Sequence, residues 1–88
     1  MTDIKFVEIV KQAIADYFNE RKDATDKSGD ITPADVFIVR QCKALQNWKA
    51  LASTTVSDGM YYEVTFNGDK NEIYLDAYKK WENRRIAL

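Results

Sequence analysis

The 88-residue chain contains no histidine. That absence removes the usual general base near neutral pH and the commonest metal ligand, and with them zinc sites and Ser/His or Cys/His nucleophile pairs. Acid–base chemistry would fall to carboxylates, lysines or tyrosines with strongly shifted pKa values. A single cysteine, Cys42, excludes an internal disulfide and fits a reducing compartment. No apolar run approaches membrane-spanning length, and Met1, Thr2 and Asp3 lead directly into an amphipathic pattern rather than a signal peptide, so a cytoplasmic protein is expected. Neither sign of charge is in excess: 13 basic and 14 acidic side chains leave a net charge of −1. This argues against both a broad nucleic-acid-binding surface and an acidic DNA mimic, so a charge-driven partner would need a local patch. The length suits one domain, residues 1–88, with one modest core.

What is present is clearest at residues 57–78, SDGMYYEVTFNGDKNEIYLDAY. With Asn67, Gly68, Asp69 and Lys70 as the loop, Phe66 faces Asn71. The apolar pairs Val64/Ile73, Tyr62/Leu75 and Met60/Ala77 then share one face of a β-hairpin. The other face pairs Thr65 with Glu72, Glu63 with Tyr74 and Tyr61 with Asp76. A slip of one residue would put this polar set in the core.

Upstream, residues 3–22 read as one amphipathic helix with Phe6, Val10, Ala13, Ile14, Tyr17 and Phe18 on its apolar side, capped by Thr2 or Asp3. Residues 23–30, DATDKSGD, read as a polar surface loop. Thr32-Pro33-Ala34-Asp35 has the form of a helix start, for which about one turn is expected. Val36-Phe37-Ile38-Val39 favours a strand to about residue 43, followed by a second strand over 48–56, a turn at Asp58-Gly59, a third strand over 60–66 and a fourth over 71–75. One helix over 33–52 is the competing reading. From Asp76 onward, DAYKKWENRRIAL has helix formers and spaced apolar residues, which predicts a short C-terminal helix or one fraying to an extended end.

The fold class expected is therefore α+β: an N-terminal helix packed on one face of an antiparallel β-meander of three to four strands, with a short C-terminal helix. Strand alternation is read as placing Trp48, Ala50, Ala52 and Val56 on the second face, with Tyr61 and Tyr74. That surface is too apolar to be simply solvated, so the C-terminal segment, a second copy or another partner should cover it.

Motifs with chemical potential each have a plainer reading. Residues 26–35 resemble part of an EF-hand calcium loop. Counting back from Gly29 puts Ala24 at the first ligand position, Asp35 replaces the final glutamate, and Pro33 interrupts the loop, so a solvated acidic loop is preferred and no cofactor or metal is assigned. Lys79, Lys80, Arg84 and Arg85, interleaved with Tyr78 and Trp81, form a basic and aromatic cluster of the kind that binds single-stranded nucleic acid, although cations also suit a helix C-terminus. Cys42 lies near Arg40 and Lys43, which would favour a reactive thiolate, but a small buried strand residue is the preferred reading. Glu63 and Glu72 share a face and invite comparison with a hydrolase pair; a solvent-facing strand pair is preferred. No catalytic residue is assigned.

Residues 42–83 carry Cys42-Lys43, Leu45-Gln46-Asn47, Lys49-Ala50-Leu51, Ser53-Thr54, Tyr61-Tyr62-Glu63-Val64-Thr65, Asn67-Gly68-Asp69-Lys70 and Tyr78-Lys79-Lys80. In this run the sequence resembles a small family of uncharacterised proteins encoded by phages and prophages of Gram-positive bacteria. The family's motifs take the form CK-x-LQN-x-KALxST, DGxYYEVTxNGDK and YxDxYKK. The resemblance transfers no activity. It implies a small accessory protein in the cytoplasm of a bacterial host cell, acting by binding a host or phage component, which includes blocking a defence system.

Taken together, a non-enzymatic protein that modulates a host or phage protein is expected, with Trp48, Tyr61, Tyr74, Tyr78, Lys79, Lys80, Trp81, Arg84 and Arg85 as candidate binding residues. A small nucleic-acid- or nucleotide-binding protein is the alternative. A homodimer through the aromatic face is a separate expectation, and no membrane association is expected.

Overall fold

A computed structural model describes residues 1–21 and 29–88. The order is α1 (Asp3–Arg21), a 3-10 turn (Pro33–Asp35), β1 (Val36–Ala44), β2 (Asn47–Thr54), β3 (Met60–Asn67) and β4 (Glu72–Lys79). The strands form one antiparallel sheet in the order β1-β2-β3-β4, a meander with α1 on one face. The α+β class, the N-terminal helix and the separation of residues 33–52 into two strands are as expected.

Local chemistry explains the boundaries. The Thr2 hydroxyl accepts the Lys5 N–H at 3.2 Å and its carbonyl accepts the Phe6 N–H at 2.9 Å, which satisfies donors left open at the first turn of α1. The side chain of Asn19 ties α1 to the start of the sheet: its Nδ2 donates to the Ile31 carbonyl at 2.9 Å and its Oδ1 accepts the Ile31 N–H at 2.8 Å. Asp35 folds back onto Thr32, accepting its N–H at 2.8 Å as in a capping box, and after this single turn the β-branched and aromatic run from Val36 continues as β1. Most of the loop expected at 23–30 lies outside the described residues, as does the beginning of the calcium-loop resemblance, up to residue 28. Asp35, at that pattern's last ligand position, is engaged by Thr32.

The inner face of the sheet is built from Trp48, Ala50 and Ala52 on β2, opposite Phe66, Val64 and Tyr62 on β3. All six are buried, with Phe6, Val10, Ile14, Ala15 and Phe18 of α1 packed in the same cluster. Phe6 meets Trp48 at 5.4 Å between ring centroids, and Tyr17 meets Tyr62 edge-on at 5.9 Å. The helix thus lies over the two central strands. Each fully buried aliphatic or aromatic side chain here contributes about 1.5–3 kcal/mol through removal of apolar surface from water.

Three expectations need correction. The β3–β4 register is displaced by two residues: Phe66 pairs with Ile73, Val64 with Leu75 and Tyr62 with Ala77, around a loop at residues 68–71. A shift of two preserves every face, so the apolar set still points inward. The loop is shifted because the Asn67 side chain accepts the N–H groups of Asp69 and Lys70 at 3.0 and 3.3 Å, while Asn71 takes the positive φ of 53°.

No C-terminal helix forms. β4 runs on to Lys79, Lys80 donates its N–H to the Gly59 carbonyl at 2.7 Å, and residues 81–88 are exposed without helix or strand. Pairing with Tyr62, Tyr61 and Met60 continues over residues 77–79 and holds them in the ladder. The remainder is too short for a helix that has no face to pack against.

Finally, Trp48, Ala50 and Ala52 are not on the face of Tyr61 and Tyr74 but opposite to it, because their partners on β3 are Phe66, Val64 and Tyr62. Val56 likewise packs against the core.

Candidate functional site

The pleat that buries these residues sends their neighbours to the outer face. From β1 these are Phe37, Arg40, Cys42 and Ala44; from β2, Asn47, Lys49, Leu51 and Ser53; from β3, Tyr61, Glu63, Thr65 and Asn67; and from β4, Glu72, Tyr74, Asp76 and Tyr78. No described element covers this face, since α1 lies on the other side and the C-terminal segment does not fold back as a helix.

Tyr61 and Tyr78 are direct cross-strand neighbours, and their rings stack at 5.2 Å with 18° between planes. Both remain exposed, at 38% and 42%. Beside them Lys49 pairs with Glu63 at 3.1 Å, and this hydrogen bond and the carboxylate charge raise the lysine pKa. The Tyr74 hydroxyl donates to Glu72, which raises its own pKa. Tyr78 is also raised, chiefly by the nearby charge of Asp76. Phe37, at the far side, is 47% exposed. The outer face is therefore a row of aromatic rings set among charged side chains, with a shallow hollow of about 220 Å³ bounded by Arg40, Cys42, Lys49, Leu51 and Glu63.

Such a face can bind but has little to catalyse with. Glu63 and Glu72 share it, as expected, but each is engaged by its own partner, Lys49 and Tyr74. Cys42 is exposed on this face rather than buried, opposite Lys49. Among the described residues no group of three His, Cys, Asp or Glu side chains could hold a metal ion. No helix of the described residues is long and apolar enough to cross a membrane.

The candidate residues separate into three places. Tyr61, Tyr74 and Tyr78 come together on the outer face. Trp48 is 6% exposed beneath Phe6, with Lys43 over its ring at 5.3 Å, and belongs to the core. Lys80, Trp81, Arg84 and Arg85 lie on the exposed terminal segment with Lys79 at its root, and Trp81 is 96% exposed. Phe37, Leu51 and Arg40 complete the outer face and were not singled out from sequence. Leu51 and Arg40 pair with each other across β1 and β2. The alternation of β2 carries the signal for Leu51, but a bulge between Ile38 and Arg40 reverses the phase of β1 and hides it for Arg40. A second hollow, of about 600 Å³, lies on the helix side between Ile4, Val7, Lys11 and Pro33, and contains none of the candidate residues.

The matching family model spans residues 7–88, taking in α1 from its second turn, the whole sheet and the terminal segment. The chain belongs to DUF6275, a family of unknown function. Membership in DUF6275 accordingly names a fold-length unit and no activity. No curated protein and no solved structure matches the chain.

Proposed function

We propose that this DUF6275 protein is a non-enzymatic binding protein whose outer sheet face docks a host or phage protein in the bacterial cytoplasm and modulates it. The observation that carries this reading is the stacked Tyr61–Tyr78 pair, held in the open on a four-stranded sheet with Tyr74 and Phe37 on the same face. Exposed tyrosines fixed on a sheet offer large apolar area at little conformational cost, and such residues dominate protein interfaces. Lys49 and Glu63 are already paired with each other, which favours a partner that buries the rings and leaves this pair at a polar rim. The likeness of residues 42–83 to proteins of phages and prophages supports the setting, with a defence component among the targets of that kind.

The test is affinity capture from a Gram-positive host lysate, comparing the wild-type protein with Tyr61→Ala, Tyr78→Ala and, as a control on the far surface of α1, Lys11→Ala. A stoichiometric protein retained by wild type and Lys11→Ala, and weakened about 30-fold or more by either tyrosine change, supports the reading. Equal capture by all four proteins sinks it.

The exposed Trp81 among Lys79, Lys80, Arg84 and Arg85 favours a second reading, single-stranded nucleic-acid binding by the terminal segment. Oligonucleotide binding that falls steeply with salt and is lost in Trp81→Ala would support it; no binding at low salt would remove it.

A further inference from the structure

The two edges of the sheet are unequal. β1 is interrupted by a bulge between Ile38 and Arg40, a device that spoils an edge for further pairing. β4 is eight residues of regular strand with no bulge and no proline. Its inner-facing side chains are incompletely covered by α1: Ile73 is 40% exposed, and Leu75 and Ala77 are half-buried. The donation from Lys80 N–H to Gly59 directs residue 80 toward β3. By the alternation of an antiparallel ladder, the even-numbered residues of β4 also bond to β3. Ile73, Leu75, Ala77 and Lys79 then present their N–H and C=O groups at the open edge.

We propose that this edge and residues 80–84 form one self-complementary interface, through which two copies pair antiparallel about a twofold axis at Tyr78 and join their sheets. A twofold perpendicular to the sheet keeps inner residues beside inner ones, so the register must pair odd with odd and even with even. Centred on Tyr78, Asp76 faces Lys80 of the second copy and Glu72 faces its Arg84, and symmetry repeats both pairs. Neighbouring registers are worse. Centring on Asp76 sets that carboxylate against itself; centring on Ala77 sets Glu72 against Glu82; centring on Lys79 sets two lysines together and Asp76 against Glu82. The Tyr78 register also brings Trp81 of the second copy beside Leu75 on the inner face, over the apolar strip that α1 leaves open. It sets the two Tyr61–Tyr78 stacks in one continuous row across the joined outer face. Lys80, Arg84 and the exposed Trp81 of the terminal segment thereby find partners on the second copy's β4.

Sedimentation equilibrium of the full chain across micromolar to millimolar concentration tests this. Wild type reaches twice the monomer mass, and Trp81 emission moves to the blue with concentration, a change absent in Trp81→Phe. Ala77→Pro removes an outward N–H while leaving the β3 ladder its bonds, so it stays folded by near-ultraviolet circular dichroism and remains monomeric. Arg84→Glu and Glu72→Arg each raise the dissociation constant about tenfold, because two symmetry-related pairs turn repulsive, and the double variant recovers the wild-type value. The recovery decides the matter even if the proline variant unfolds. A monomeric mass at every concentration overturns the proposal, including the case in which Trp81 folds back onto its own β4. So does a dimer that is indifferent to the two charge reversals.

Discussion

The two faces of the central strands are made from interleaved residues of the same short segments, yet they behave as different materials. Over residues 48–52 and 62–66 the even positions, Trp48, Ala50, Ala52, Tyr62, Val64 and Phe66, are sealed under α1. The odd positions between them, Lys49, Leu51, Glu63 and Thr65, lie on the open side with Tyr61. The inner face is held by packing, where each atom removed leaves a void. The outer face is held by stacking and ion pairs in water, where contacts are individually weak and side chains remain available to a partner. The contrast explains why one aromatic pair, Phe6–Trp48, is structural, and another at similar separation, Tyr61–Tyr78, is a candidate binding element.

Truncation is the strongest way to break that comparison. Phe6→Ala, emptying a fully buried site against Trp48, should cost about 3–5 kcal/mol in urea unfolding. A domain of this size has roughly 5–13 kcal/mol in total, so the variant should be barely folded. A loss below about 1 kcal/mol would mean that α1 does not seal the sheet.

The end of the sheet, where the two hairpin turns meet, comes next. A Cβ on Gly68 would collide with the Gln46 carbonyl oxygen, and the Gly68 N–H is held by Asn47 Oδ1 at 3.2 Å. Gly68→Ala must therefore move backbone and should cost about 1–3 kcal/mol by the same measurement.

Alkaline titration distinguishes the faces by burial. Burial first, and the charge of Asp58 second, raise the Tyr62 pKa. The folded state then holds its proton more tightly than the unfolded chain. Stability is complete below about pH 10, the ordinary tyrosine value, and declines as pH rises through the folded pKa. Tyr74, Tyr78 and Lys49 on the outer face are raised as well and act in the same direction. Tyr62→Phe should flatten the decline in urea midpoint between pH 8 and pH 11 more than Tyr74→Phe does, since water screens the exposed hydroxyl. An equal response from both variants would erase the distinction.

The smallest effect expected is on the outer face itself. Tyr61→Ala loses one exposed stack and should cost no more than about 1 kcal/mol of stability, while weakening partner capture about 30-fold or more. A change that removes binding and leaves the fold intact would sharpen the comparison into a functional one.

Much of this was legible in the chain. The helix stripe through Phe6, Val10, Ile14 and Phe18, the single turn at Pro33 and the inward set Tyr62, Val64 and Leu75 follow from periodicity and turn chemistry that operate within a few residues. The partnership of Tyr61, Tyr74 and Tyr78 on one face was half legible. Tyr61 and Tyr78 meet only because the β4 register is displaced by two residues, which Asn67 and Asn71 decide in the loop. Trp48 was misplaced because alternation holds within a strand and does not cross the connection at residues 55–59. The phase of β2 against β3 depends on how that connection closes: Ser53 Oγ donates to the Met60 carbonyl at 2.9 Å and Asp58 accepts the Met60 N–H at 3.0 Å.

The amino-acid order by itself determined the elements as far as β4 and, within the unbulged strands, which residues would share a face, because helix and strand periods are properties of the local backbone. The tertiary structure alone decided which faces of different strands align. It placed Trp48 in the core, brought Tyr61 against Tyr78, and held residues 76–79 as strand despite their helix-forming composition. Those outcomes depend on hydrogen-bond ladders between distant residues, and a ladder that satisfies a whole strand outweighs the weak preferences of the few residues it recruits.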